Sequence, residues 1–349
     1  MESSPVLSIC IPSYNRAALV GELLGLIAEE VGGDTASDIG IIEVVVTDNC
    51  SPDDTRQVVQ SYQDRLTHLT YIRHDENIGA DRNFLAAVAA ATGRYCWLMG
   101  DDDLPEPGAI RRLVQILSAH PGIAGCSVDR FSRSFDLSTQ IPEDVFPDFS
   151  ESRILSGPDE VFSRIGYYLG YLSGQVVERA LWNEVVATLP VDQYYNAYVH
   201  VYVIGMMLKK RPEWLVLKER LVTWRADNDS FMSSGRYRRL EIDVIGFEQN
   251  CRAIFGLQSA TYRAMRDRIA TSHLRSNIIT SRIEGSWNME TASQTRKLAM
   301  QYYFYSPRFW LMTAPVLFAP RSSRFLFVAL RNSVKRWRAL KGRSRDQAG

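Results

Sequence analysis

Gly93-Arg94-Tyr95-Cys96-Trp97-Leu98-Met99-Gly100-Asp101-Asp102-Asp103-Leu104-Pro105 decides how the first third of the chain is read. Residues 95–99 form a short apolar run that reads as a strand, and three consecutive acids follow it directly. The same grammar recurs upstream. Residues 6–11 and 41–46 are apolar and β-branched, and 69–72 is a weaker run of the same kind. Between them lie helical patterns. Leu19, Leu23, Leu24 and Ile27 recur at helical spacing, and 80–91 is alanine-rich, with Gly93 suited to a left-handed helix stop. Ser51-Pro52-Asp53-Asp54 predicts an N-cap, a proline in first helical position and acids in the first turn. Downstream, residues 105–118 predict a helix with Ile110, Leu113, Val114 and Leu117 on one face.

Strands alternating with helices in this way predict an α/β fold with a mainly parallel central sheet flanked by helices. Ligands bind such sheets beyond the carboxyl ends of the strands, so the site is expected just after residues 11, 46, 72 and 99. Residues 121–235 are less regular, with strand-like pieces at 174–177 and 214–222 and helix-like pieces at 158–169 and 198–210. From 236 onward the pattern is mostly helical. The expected division is 1–120 and 121–235 as two halves of one α/β domain, with a helical extension at 236–349.

Composition bounds the partners. The 349 residues are 46% hydrophobic and 23% charged, with 40 basic and 40 acidic side chains. That excludes a disordered chain, a collagen-like chain and a broadly basic nucleic-acid binder. The balance conceals an asymmetry: residues 291–349 hold twelve basic side chains and one acid, Asp346. The five cysteines form no CxxC pair, which argues against zinc, and their odd number argues against a disulfide framework. No secretory signal is visible at the N-terminus. The longest late uncharged run, 309–320, is shorter than the roughly 20 residues that span a bilayer. A reducing cytoplasm is the expected compartment.

The expected strand ends carry polar clusters: Pro12-Ser13-Tyr14-Asn15-Arg16, then Thr47-Asp48-Asn49-Cys50-Ser51, then Asp101-Asp102-Asp103, with Asn77-Ile78-Gly79-Ala80-Asp81-Arg82-Asn83 between. Three adjacent acids repel one another unless a cation neutralises them. Mg²⁺ and Mn²⁺ suit carboxylate oxygens shared with substrate phosphates. The alternative is a solvated turn in which Asp103 caps the next helix. Asp48 either accepts the imino proton of a pyrimidine base or organises its turn. Tyr14 either stacks on a base or covers the sheet edge. Arg82 either meets phosphate or pairs with Asp81 or Asp75. No GxGxxG, GxxxxGK[ST] or GxSxG is present, which disfavours dinucleotide enzymes, P-loop enzymes and α/β-hydrolases.

Taken together, Ile11-Pro12-Ser13-Tyr14-Asn15-Arg16, Val45-Val46-Thr47-Asp48-Asn49-Cys50-Ser51-Pro52-Asp53, Asn77-Ile78-Gly79 and the stretch from Gly93 to Asp103 resemble family-2 glycosyltransferases of the GT-A fold. The resemblance is strong over about 5–115 and loose over 116–235. It implies a nucleotide-sugar donor, a divalent metal (Mg²⁺ or Mn²⁺) and an inverting displacement. By position, 1–120 becomes the nucleotide-sugar half and 121–235 the acceptor half. Pro12, Ser13, Tyr14, Asn15, Arg16, Asn77 and Arg82 would line the donor pocket, and Asp48 would hold the base. Asp101 and Asp103 would form the Asp-x-Asp signature, with Asp103 on the metal and Asp102 facing the donor's sugars. The family usually has an acid where Gly100 stands.

An inverting transfer needs a base for the acceptor hydroxyl. The family's Glu-Asp pair is missing, which leaves Asp192 and His200 as candidates. Asp192 otherwise caps a helix, and His200 otherwise packs in the core. Arg225, in Trp224-Arg225-Ala226-Asp227-Asn228-Asp229-Ser230, either meets the diphosphate or pairs with Asp227 or Asp229. Met99-Gly100-Asp101-Asp102-Asp103-Leu104-Pro105 also resembles the abequosyltransferase-type branch of bacterial O-antigen synthesis, which implies a CDP-linked dideoxyhexose and a lipid-linked saccharide acceptor. The tail suits that acceptor. Leu326, Leu330, Val334 and Trp337 recur at helical spacing beside Arg331, Lys335 and Arg338, as in a basic amphipathic helix lying on the cytoplasmic face of a membrane. A helix packed on the core would give the same pattern. Other readings of the whole are a sugar nucleotidyltransferase, which normally begins with a glycine-rich loop, and an inactive scaffold, which the acids argue against.

Overall fold

The computed structural model describes residues 5–32, 41–325 and 327–329. The chain divides into two compact units: Met1–Ser230 with Gln249–Gly256, and Phe231–Glu248 with Leu257–Gly349. The first unit is an α/β layer structure. Its elements are β1 (Leu7–Ser13), α1 (Ala17–Val31), β2 (Ile42–Asp48), α2 (Thr55–Gln60), β3 (Leu69–Arg73), α3 (Ala80–Ala90), β4 (Tyr95–Leu98), β5 (Leu104–Pro105), α4 (Ala109–Ala119) and β6 (Gly125–Arg133). They continue with β7 (Gln140–Ile141), β8 (Arg153–Ser156), α5 (Gly157–Ile165), β9 (Gln175–Glu178), α6 (Arg179–Thr188), α7 (Val199–Lys210) and β10 (Glu213–Arg225).

The main path of the sheet runs β3-β2-β1-β4-β9-β6-β10-β5. Strands β1 to β4 are parallel, and every residue of β1 and β2 is buried. Strands covered on both faces favour near-continuous apolar runs over alternation. Here the runs are interrupted only by Ser8 and Glu43, which are buried against each other, with the Ser8 hydroxyl donating to Glu43 at 2.5 Å, before the polar strand ends are reached. The register pairs Ser13 with Asp48 and Asp48 with Arg73, which brings the polar strand ends to one edge. Beyond β4 the sheet becomes mixed. β9 lies antiparallel between β4 and β6, and β10 runs parallel to β6.

Several local expectations change. Leu104-Pro105 does not open a helix. It pairs with Thr223 and Val222 of β10, and α4 begins after Gly108. Ser51 caps nothing, because α2 starts four residues later, at Thr55. Its hydroxyl instead accepts the Asn15 N–H at 2.9 Å. Gly93 serves close approach rather than a left-handed stop: a Cβ there would lie 2.4 Å from Ser8 Oγ and 2.9 Å from Ser8 N. The long strand β6 has no counterpart among the expected elements. Its run is broken by Asp129, Arg130 and Arg133, and Arg130 is sheltered by Tyr171 and Trp224, each 4.5 Å from the guanidinium.

The second unit is helical. α8 (Arg236–Phe255) supplies residues to both units. It is followed by α9 (Ala260–Arg268), a π-helical turn (Ile269–Leu274), α10 (Arg275–Glu284), α11 (Met289–Tyr303), α12 (Pro307–Met312) and α13 (Ala314–Phe318). Phe247, Leu274, Leu298, Phe309 and Leu317 are among its buried side chains. The tail residues Leu326, Leu330, Arg331, Val334, Lys335, Trp337 and Arg338 lie outside the described residues. Among the described residues, no helix is long and apolar enough to cross a membrane. None of the five cysteines is in a disulfide.

Candidate active site

The first strand ends in Ser13, whose hydroxyl donates to Asp101 Oδ2 at 2.8 Å. Asn15 then takes a left-handed backbone (φ +56°), which turns the chain into α1. Arg16 reaches back across the edge. Its Nη1 lies 2.9 Å from both Asp101 Oδ1 and Asp102 Oδ2, and its Nη2 donates to the Asn228 carbonyl at 2.8 Å. Asn228 Nδ2 in turn donates to Asp102 Oδ2 at 2.8 Å. The structure therefore brings Ser13, Arg16, Asp101, Asp102 and the 226–230 segment into one cluster.

Asp103 faces inward. Its carboxylate accepts from Ser173 Oγ at 2.5 Å and from the Arg225 backbone N–H at 3.1 Å. Ser173 Oγ also accepts the Gly100 N–H at 2.8 Å. A Cβ at Gly100 would sit 3.1 Å from Ser173 Oγ, so glycine leaves room for this bridge where the family usually has an acid. Burial, and then the neighbouring Asp102 charge, push Asp103 up to about 7. Burial holds Asp101 at about 6, against the pull of Arg16. Asp102 is the most accessible of the three, with 19% of its side chain exposed against 8% for Asp101.

Asp48 is fully buried. It accepts from Ser51 N at 2.8 Å and from Tyr71 Oη at 2.6 Å, with Arg73 Nε at 3.5 Å. These bonds organise its turn. Asn49 donates to Asn77 Oδ1 at 2.9 Å and accepts from Ile78 N at 2.8 Å, which ties the second and third strand-end loops together. Pro12 is buried within β1, and Tyr14 stands half exposed at the rim. Arg82 is exposed and lies over the Tyr195 ring at 5.4 Å rather than on Asp81. Arg225 is buried and committed: Nη2 to Glu22 at 2.6 Å, Nη1 to the Phe135 carbonyl and Nε to the Asp102 carbonyl. It braces the triplet from below and makes no pair with Asp227 or Asp229 through those nitrogens.

The two base candidates differ sharply. Asp192 is exposed on a short 3-10 turn, Val191–Tyr194. His200 is 1% exposed in the first turn of α7, edge-on to Phe84 at 6.0 Å. Burial pushes its pKa down to about 4. A folded value below the unfolded one contributes stability that is present above about pH 6.5 and lost as pH falls toward 4. His200→Phe is expected to flatten that acid limb, by at most about 3 kcal/mol. Melting curves across that range check it, and an unchanged acid limb would show that His200 does not control it.

Ser173 on Asp103, and Tyr71 and Arg73 on Asp48, carried no sequence signal of their own, since each meets its acid from another segment, and Asn228 lies in the 224–230 stretch without a signal that it would bind Asp102. Among the described residues, no group of three or more His, Cys, Asp or Glu side chains converges into a ready metal cage.

A family model described as glycosyl transferase family 2 matches residues 8–174. Abequosyltransferase RfbV of Salmonella typhimurium is 31% identical over 263 residues, covering 69% of this chain and 73% of that protein. S. aureus TarS 1-349, solved in complex with UDP-GlcNAc, superposes with a TM-score of 0.60 at 17% identity, over 92% of this chain and 88% of that one. Mannosyltransferase PcManGT of Pyrobaculum calidifontis, solved with GDP-Man and Mn²⁺, gives a TM-score of 0.54 at 16% identity, over 95% and 87%. At these identities, the two structural likenesses establish the GT-A fold.

Proposed function

The chain belongs to glycosyltransferase family 2 and is a glycosyltransferase, and from that premise we propose that it moves a dideoxyhexose, with inversion, from a CDP-linked donor to a lipid-linked saccharide. The setting is cell-surface polysaccharide synthesis of the O-antigen type, at the cytoplasmic face of the membrane. The observation that carries the proposal is the acidic triplet on the strand edge: three adjacent carboxylates, of which Asp101 and Asp102 share the guanidinium of Arg16 while Asp103 turns inward to Ser173. The likeness to abequosyltransferase RfbV supports the choice of sugar.

The residues fit a divalent cation. The donors are all oxygen, and the cluster keeps excess negative charge after Arg16 is counted. Asp102 is the acid placed to meet the ion, rather than Asp103, whose oxygens are taken by Ser173 and Arg225. Asp101 supports it through Ser13 and Arg16. An ion held there would neutralise charge on the departing diphosphate. Tyr14 offers an exposed ring face to the base, and Asp48 sets the backbone of the loop beneath it. Asp192 is the reachable general base, because a base must touch the acceptor hydroxyl and His200 is enclosed. The basic residues beyond 320 hold the enzyme near its lipid-linked acceptor.

A thermal-shift panel of CDP-, UDP-, GDP- and dTDP-sugars with Mn²⁺ tests the donor, because binding to the native state raises its melting temperature. The CDP-sugar is expected to give the largest shift. A response confined to another nucleotide overturns the CDP assignment, and no response to any overturns the donor site. In the same assays Asp192→Asn should lose turnover while keeping the donor shift. Full activity in that variant removes it as the base.

A further inference from the structure

Residues 304–318 present an aromatic surface outward. Phe309 and Leu317 are fully buried and seat this segment on the core of the second unit. The opposite side exposes Tyr305 (83%) and Leu311 (79%), with Phe304, Trp310 and Phe318 each between two-fifths and half exposed. These rings fix one another. Trp310 stacks on Phe318 with centroids 6.3 Å apart and planes 7° from parallel, and Phe304 meets Trp310 edge-on at 5.9 Å. The indole N–H donates to the Phe304 carbonyl at 2.7 Å, so its polar edge is satisfied within the protein. A contiguous exposed cluster of this kind marks an interaction site, unlike scattered surface apolar residues.

Charge selects the partner. Residues 291–349 carry twelve basic side chains and one acid. Arg308 borders the aromatic face with 72% of its side chain exposed, and Arg296 lies 5.6 Å from the Phe318 ring. A second copy docked here by two-fold symmetry would set one strongly basic segment against another. An anionic bilayer surface complements both features: its interface accepts aromatic rings and its headgroups attract guanidinium groups. Helices of six and five residues are too short to cross the hydrocarbon, so the contact is interfacial.

We propose that the face formed by Phe304, Tyr305, Trp310, Leu311 and Phe318 seats in the headgroup region of an anionic membrane. This rests on the membrane association proposed above, but assigns the contact to α12, α13 and the turn before them. The test is co-sedimentation of the full-length chain with phosphatidylglycerol–phosphatidylethanolamine vesicles, against phosphatidylcholine vesicles. Tyr305→Ser/Leu311→Ser should bind the anionic vesicles about tenfold or more weakly, since each side chain lost withdraws apolar area from the interface. Its melting temperature should be unchanged, because both side chains are exposed. Brominated lipid should quench tryptophan fluorescence in the wild type, and less so in Trp310→Phe. Wild-type protein that ignores anionic vesicles would overturn the membrane association itself. Undiminished binding by the double variant, with quenching equal in Trp310→Phe, would overturn this face while leaving the association intact. A concentration-dependent dimer that the double variant abolishes would assign the face to a second copy instead.

Discussion

Asp102→Asn is expected to lower sugar transfer on the order of 10³-fold while leaving the fold in place. The substitution is isosteric, and Asp102 is the least buried acid of the triplet. Its carboxylate is held by Arg16 at 2.9 Å and Asn228 Nδ2 at 2.8 Å, so an amide can keep its position. What it loses is the negative charge that a hard cation needs, and groups that stabilise developing charge are typically worth 10²–10³ in rate. A second readout separates ligation from mere packing. Mn²⁺ should raise the melting temperature of the wild type and should raise that of Asp102→Asn far less. If the variant keeps the full Mn²⁺ shift, Asp102 is not the ligand, whatever its activity. Asp103→Asn is the contrasting case. It disturbs the bridge to Ser173 and the Arg225 backbone, so it should lower the melting temperature without Mn²⁺ as well.

The parallel half of the sheet was legible because buried parallel strands leave a near-continuous apolar mark, here broken only by the mutually bonded Ser8 and Glu43. β1, β2 and β4 are runs of apolar and β-branched residues, and each stops at a polar cluster that the fold brings to one edge. The location of the triplet followed from that alone. Its internal roles did not. Which acid faces inward depends on Ser173, 70 positions from Asp103, and on the backbone of Arg225, 122 positions away. Arg225 reads as a phosphate contact by resemblance, or as a partner of Asp227 or Asp229 from its neighbours, because sequence does not show the Glu22 carboxylate that holds it. Strand β6 has no continuous apolar pattern for a related reason: its Arg130 is sheltered by aromatic side chains from other segments, Tyr171 and Trp224. Local pattern reports burial well, but it is silent on partners supplied by tertiary structure.

Asp81→Ala should cost about 3 kcal/mol of stability and lower turnover by a further ten- to a hundredfold. As a sequence feature Asp81 was only a possible partner for Arg82. In the fold it is buried in the first turn of α3, where its two oxygens accept the Ala197 N–H at 2.7 Å and the Val199 N–H at 3.0 Å. It thus supplies, from another element, the cap that α7 lacks locally, beside the positive end of that helix. Burial raises its pKa, and the two N–H bonds oppose the rise. Alanine would leave both N–H groups buried and unpaired, at about 1–3 kcal/mol each. Asparagine should recover only part of the loss, because one of its two polar ends donates where both N–H groups need acceptors. The catalytic consequence follows from what the cap holds. The segment from Asp192 to Val199 is fixed on the strand edge through this carboxylate and through Arg82 over Tyr195. Releasing it displaces the proposed base without touching the donor cluster, and misplacement of about 1 Å can cost on the order of 10²-fold. Urea unfolding should show the stability loss, hydrogen exchange should quicken at residues 197–203, and the CDP-sugar thermal shift should survive. Turnover equal to wild type despite that faster exchange would show that the 192–199 segment does not carry the base.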